Sequence, residues 1–164
     1  MKEKYYIITA DKNDQDFLYE MLYQSIYVQP DSMKPNKKII KNPELSKYVA
    51  NWGKDGDFAL IALNKNRIKI GAVWLRFFDT NCKGYGFISE YIPEIGIAVE
   101  EKSRGYGIGS LLLKELLKQT KGTIKSISLS VQSANPAMKF YKKFGFYECK
   151  KEGDTVIMRC DTST

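Results

Sequence analysis

The chain has no histidine among its 164 residues. That absence excludes Ser-His-Asp and Cys-His nucleophile systems and most zinc sites, in which imidazole is the base or a metal ligand. Cysteine is nearly as scarce. Cys82, Cys149 and Cys160 are an odd, widely spaced set without the close pairing of a metal site, and they read as reduced thiols of a cytoplasmic protein. No apolar run approaches the ~18 residues needed to span a membrane. Met1-Lys2-Glu3-Lys4-Tyr5-Tyr6 leads straight into a strand pattern, unlike a secretory leader. Repeats, low-complexity tails and linker-like stretches are missing too. One domain over residues 1–164 is therefore expected, able to bury roughly two thirds of its unfolded surface.

Acidic residues are the minority among the charges, 19 against 26 lysines and arginines, for a net charge of +7. A basic balance can serve nucleic acid. Here the basic residues are spread along the chain, with small clusters at 34–41 and 139–143, and no DNA- or RNA-reading motif accompanies them. A solvated surface is the expectation for most. Lys102, Arg104, Lys142 and Lys143 are placed to help hold an anion.

What the sequence does contain is Arg104-Gly105-Tyr106-Gly107-Ile108-Gly109 between two regular patterns. Before it, Glu94-Ile95-Gly96-Ile97-Ala98-Val99 is apolar and β-branched at alternate positions and reads as a strand. After it, the leucines of Ser110-Leu111-Leu112-Leu113-Lys114-Glu115-Leu116-Leu117-Lys118 recur at helical spacing. A glycine turn opening a helix exposes unpaired N–H groups at the positive end of the helix dipole, a seat for phosphate. A dinucleotide fingerprint would need glycine at 110, where Ser110 stands, and a P-loop would need a lysine after Gly109. The form that fits is [QR]-x-x-G-x-[GA], on Arg104, Gly107 and Gly109.

Further on come the strand Ile127-Ser128-Leu129-Ser130-Val131 and then Asn135-Pro136-Ala137-Met138-Lys139-Phe140-Tyr141-Lys142-Lys143-Phe144-Gly145-Phe146. Asn135 suits an N-cap, Pro136 the first helical position and Gly145 the stop. In this order and separation the two motifs resemble the GNAT superfamily of acetyl-CoA-dependent N-acetyltransferases, from about residue 57 to the C-terminus.

The resemblance implies a single α/β domain with a mixed, mostly antiparallel central sheet, flanked by helices and with splayed central strands. It implies acetyl-CoA as acyl donor, no metal, and transfer to an amine of a small molecule or peptide. It places main-chain groups of Ile97, Ala98 and Val99 along the cofactor arm. Arg104, Gly105, Tyr106, Gly107, Ile108, Gly109 and Ser110 fall on the pyrophosphate, and Asn135 on the arm. An N–H near Val99 would polarise the thioester. Tyr141 would protonate the leaving thiolate, with reference pKa values of about 10 for tyrosine and about 8.5 for a thiol. Glu94 is chosen as the base over Glu90, because its strand position fixes its orientation, with water as the alternative. A non-catalytic acyl-CoA sensor and a nucleic-acid-binding module stay open as other readings, and a homodimer is compatible.

The rest of the chain reads as a strand at 5–9, a helix at 15–27, a mobile loop at 28–42 and a short helix at 44–52. A hairpin follows at 58–63 and 68–78, then an irregular loop at 79–91. Beyond the strand and helix already described come a strand at 125–131, a helix at 136–144 and a closing pair at 146–150 and 155–159. The acceptor wall is expected from Tyr27, Tyr48, Trp52, Trp74, Arg76, Phe77, Tyr85 and Phe87, an aromatic set that names no particular amine.

Overall fold

In the computed structural model, which describes residues 3–162, seven strands join one sheet. They are β1 (Tyr6–Thr9), β2 (Phe58–Leu63), β3 (Lys69–Arg76), β4 (Glu94–Val99), β5 (Ser126–Gln132), β6 (Tyr147–Glu152) and β7 (Thr155–Asp161), in the spatial order β1-β2-β3-β4-β5-β7-β6. Every neighbouring pair is antiparallel except β4 and β5, which run parallel.

The near-continuous apolar runs of β2 and β3 have a direct cause: both faces of the sheet are covered. Leu60, Ala62, Val73 and Leu75 face a core built with Ile108, Leu112, Leu113 and Leu116 of one helix, α3 (Ile108–Thr120). The alternate residues Ala59, Ile61, Ala72 and Trp74 face a second core with Leu18, Met21 and Leu22 of α1 (Gln15–Ser25). The period of two thus sorts one strand pair onto two cores. The last helix, α4 (Ala137–Lys143), lays Met138, Phe140 and Tyr141 on the first core. No helix of the described residues is long and apolar enough to cross a membrane.

Several boundaries depart from the sequence reading. The first helix stops at Ser25, not 27, because Ile26 is extended and turns its N–H back to Tyr23 O. The segment read as a mobile loop is tied down: Tyr23 donates to Pro35 O at 2.7 Å, and Asn36 caps a 3₁₀ turn at Lys37–Lys41 by accepting the Lys38 N–H. The helix expected at 44–52 is α-helical only over α2 (Pro43–Ser46), with turns beyond it.

Arg76 accounts for that last difference. Its guanidinium donates to the carbonyls of Lys47 and Ala50 at 3.0 and 2.6 Å, taking acceptors that a longer helix would supply with N–H groups. It also grips Asp57 through two bonds, Nε to Oδ1 at 3.0 Å and a terminal nitrogen to Oδ2 at 2.7 Å. Both side chains are buried, and Asp57 further accepts the N–H groups of Gly53 and Lys54. Removing one partner of a buried pair strands the other charge. Asp57→Ala is therefore expected to cost about 3–5 kcal/mol and to lower Tm by on the order of 10 °C, read by thermal melting against the parent.

Candidate active site

The parallel strands β4 and β5 pair at one position only, Glu94 with Ser128, where the Ser128 N–H donates to Pro93 O at 3.0 Å. Beyond it they diverge, each held on its other side by an antiparallel ladder. The register decides which main-chain groups the fork exposes. Glu100 N–H donates to Ile70 O, so the alternation of an antiparallel ladder turns the polar groups of Ala98 and Gly96 toward β3. Those of Ile97 and Val99 face the gap. Ala98, assigned with its neighbours from sequence, instead spends its main chain on β3 and buries its side chain against α1.

At the open end of the fork lies the glycine loop. Gly107 is the residue before α3 and adopts φ +82°, which a side chain would strain. No acceptor among the described residues takes the N–H groups of Gly105 through Ser110; the first bond of the helix runs from Leu111 N–H to Gly107 O. Of these six residues all but Tyr106 line the cleft at the positive end of a 13-residue helix. Arg104 holds the loop in place: Nε donates to Val99 O at 2.9 Å, and a terminal nitrogen reaches Gln24 at 3.2 and 3.3 Å. Ile108 puts its side chain in the core, and Tyr106 lies exposed outside the cleft. Lys34 lines the cleft, whereas Lys102, Lys142 and Lys143 do not.

Two cavities meet at the fork. One, of about 790 Å³, runs from the glycine loop past Val99 to Ile97; the other, of about 380 Å³, lies against Glu94, Tyr48, Trp74 and Tyr85. Ile97, Asn135, Tyr141 and Tyr27 belong to both walls, and the Tyr27 hydroxyl bridges the clefts' rim to Ala134 O at 3.2 Å. Asn135 accepts the Ala137 N–H at 2.9 Å through its side-chain oxygen, one residue ahead of the assigned helix cap. Its amide nitrogen stays free for a ligand. The Tyr141 hydroxyl makes no hydrogen bond among the described residues, and burial alone pushes its pKa up to about 12. Its ring is fixed edge-on by Phe140 and Phe146.

Glu94 stands at the closed end, 2% exposed. Oε1 accepts from the Tyr48 hydroxyl at 2.9 Å and from Gly86 N–H at 2.8 Å, while Oε2 is buried with no partner. Burial raises its pKa, outweighing those bonds and the charge of Lys47. The loop can close on it because its contact residues have no Cβ: one on Gly84 would stand 1.9 Å from Oε2, and one on Gly86 2.6 Å from the Leu129 backbone. Glu90 is exposed and lines neither cavity.

Of the expected acceptor wall, Tyr27, Tyr48, Trp74 and Tyr85 are present. Arg76 is consumed by Asp57, Trp52 packs in the second core with that guanidinium over its ring, and Phe77 and Phe87 lie outside. The sequence reading missed that Tyr48 holds Glu94 and receives the Tyr85 N–H at 2.7 Å. The signal available was Gly84-Tyr85-Gly86 shortly before a strand that opens on a glutamate.

Residues 55–148 match the family model described as an acetyltransferase (GNAT) domain. No curated protein matches the chain by sequence. Among solved structures, the chain is similar to a GNAT superfamily phosphinothricin acetyltransferase from Sinorhizobium meliloti in complex with acetyl-CoA (19% identity over 99% of this chain and 90% of that one, TM-score 0.65). It is similar to the PaiA N-acetyltransferase from Thermoplasma acidophilum in complex with coenzyme A (19%, 96% and 99%, 0.62). A third is the ribosomal-protein-S18-alanine N-acetyltransferase from Escherichia coli (14%, 98% and 96%, 0.66). At these identities the likeness is one of fold.

The state of Glu94 has a measurable consequence. Its pKa is raised on folding, so its contribution is most favourable below the unfolded carboxylate range and is lost as pH rises through the folded value. Glu94→Gln removes that loss and keeps an oxygen for Tyr48 and Gly86. The variant is expected to match or exceed the parent's stability at pH 8, with its relative advantage shrinking below about pH 4. Denaturant unfolding at both pH values reads this, and a parent that gains on the variant as pH rises would reverse the sign.

Proposed function

Because the chain belongs to the GNAT acetyltransferase family, we propose that it moves an acetyl group from acetyl-CoA to the primary amine of a small molecule or peptide. The observation that carries this reading is the pair of cavities joined through the fork, with unpaired N–H groups at one end and a buried carboxylate at the other. The donor set fits an elongated polyanion. Gly105 to Ser110 offer main-chain donors to a pyrophosphate, and Ile97 and Val99 offer an open strand edge to an amide-bearing arm. Two of the structural neighbours are N-acetyltransferases by name, which supports an amine as acceptor.

Acetyl-CoA supplies an acetyl group activated as a thioester. The protein's part is to remove a proton from the amine, stabilise an oxyanion and help the sulfur leave. Glu94, which lines the smaller cavity and whose proton affinity burial raises, takes the ammonium proton. Ile97 is the better oxyanion donor than Val99, because its N–H lies where both cavities meet and the Val99 main chain is nearer the phosphate end. Tyr141 stays protonated at neutral pH, since burial holds it near 12. That lies roughly three units above a thiol, so complete proton transfer from Tyr141 alone is uphill. Its hydroxyl hydrogen-bonds the developing thiolate and relays a proton: as it gives its own to the sulfur, it takes the second proton from the nitrogen of the tetrahedral adduct, so coenzyme A leaves as the thiol.

Two variants separate binding from chemistry. A Cβ on Gly109 would meet only a Phe140 ring carbon at 3.8 Å, so Gly109→Val folds with its isopropyl group at the cavity wall. Acetyl-CoA affinity by calorimetry should fall at least about tenfold with Tm little changed; undiminished affinity would remove the loop from the donor site. Tyr141→Phe keeps the ring packing and loses no hydrogen bond. With an amine that the parent acetylates, kcat should drop about 10²-fold or more while acetyl-CoA affinity holds. Thiol release and mass spectrometry of the acetylated amine read the rate, and an unchanged kcat with chemistry rate-limiting would exclude the tyrosine.

A further inference from the structure

The smaller cavity has a one-sided electrostatic lining. Glu94 is the single charged side chain in its wall, and among the described residues no lysine or arginine lines it. The nearby cations are committed elsewhere. Arg76, directly across the ladder from Glu94, is bound to Asp57 and two carbonyls. Lys47 donates to Glu44 and to Lys83 O and sits 5.1 Å from the centroid of the Tyr85 ring, outside the wall. Arg104 and Lys34 belong to the larger cavity alone. The remaining wall combines aromatic and apolar side chains, such as Leu22, Tyr48, Trp74 and Tyr85, with uncharged polar ones, such as Ser130 and Gln132. Within it the Trp74 indole N–H is buried and has no acceptor among the described residues.

Resting on the acetyl-transfer reading, the geometry points to an acceptor that is a monocationic amine on an aromatic or apolar body, bearing no carboxylate or phosphate. An ammonium entering this cavity meets the field of Glu94, the one charged side chain in its wall, and the faces of aromatic rings. A carboxylate on the same molecule would be desolvated with no cation to receive it, beside a carboxylate already there. An uncharged oxygen on the body, as in an amide, carries no charge to desolvate and meets no such penalty.

The test compares 2-phenylethylamine, L-phenylalanine amide and L-phenylalanine, which share one body and differ in what stands beside the amine. With the full-length protein and acetyl-CoA, kcat/KM for the amine and the amide should each exceed that for the free acid at least about tenfold. In the protein loaded with coenzyme A, the amine and the amide should raise Tm and the acid should not. A ratio below tenfold, or an acid that stabilises as well as the amide, overturns the assignment and leaves acetyl transfer standing. Failure of all three to stabilise the loaded protein overturns it as well. Stabilisation by the amine and amide without any acetylated product supports this recognition and overturns the transfer reading instead. Glu94→Gln supplies the control: the stabilisation by the amine should disappear while acetyl-CoA affinity is retained.

Discussion

The arrangement depends on the divergence of β4 and β5 after a single shared position. Each strand is fully committed on its other side, β4 to β3 over six residues and β5 to β7 over seven, so the sheet is two antiparallel halves that touch at Glu94 and Ser128. The twist of each half carries its strand away from the other. A buried main-chain group without a partner is costly, and the fork leaves those of Ile97 and the N–H of Val99 turned to a cavity, the Val99 carbonyl being taken by Arg104. That makes the gap a binding feature in its own right. The chain then places the phosphate-type donors at the open end and the carboxylate at the closed end, in a line that follows the strand.

The fork also brings together side chains that a closed sheet would keep apart. Glu94 shares a face of β4 with Ala98, on the α1 side, while Tyr141 comes from a helix packed on the α3 side. Both nonetheless line the smaller cavity. A proton acceptor and a proton donor can therefore serve the two ends of one reaction from opposite faces of the sheet, with the Ile97 main chain between them.

Local patterns made much of this readable from the residues. The strand–glycine–helix unit and the Asn135 to Gly145 unit are each encoded in one short continuous stretch by periodicity and capping, and both appear within a residue or two of where they were placed. The preference for Glu94 over Glu90 rested on strand geometry, and the structure buries the first and exposes the second. What was illegible was long-range. Arg76 reads as a wall residue until Asp57, nineteen positions away, is seen to hold it. The three residues 97–99 look equivalent until the neighbour strand is known, after which alternation separates Ala98 from the other two. The early stop of the helix at 43–46 likewise follows from a guanidinium reaching in from β3.

In a chain without histidine a carboxylate can be made a better proton acceptor by burial, which at Glu94 outweighs the charge of Lys47. The obstacle is that a buried arginine lies directly opposite Glu94 on the adjoining strand. Left free, Arg76 would stabilise the carboxylate and lower its affinity for a proton. Asp57 limits this by occupying one edge of the guanidinium with two hydrogen bonds, while the Lys47 and Ala50 carbonyls take the other terminal nitrogen. Glu94 is left with two neutral donors on one oxygen and nothing on the other. The ion pair that anchors the fold on this side thus also withholds the nearest buried cation from the neighbouring carboxylate.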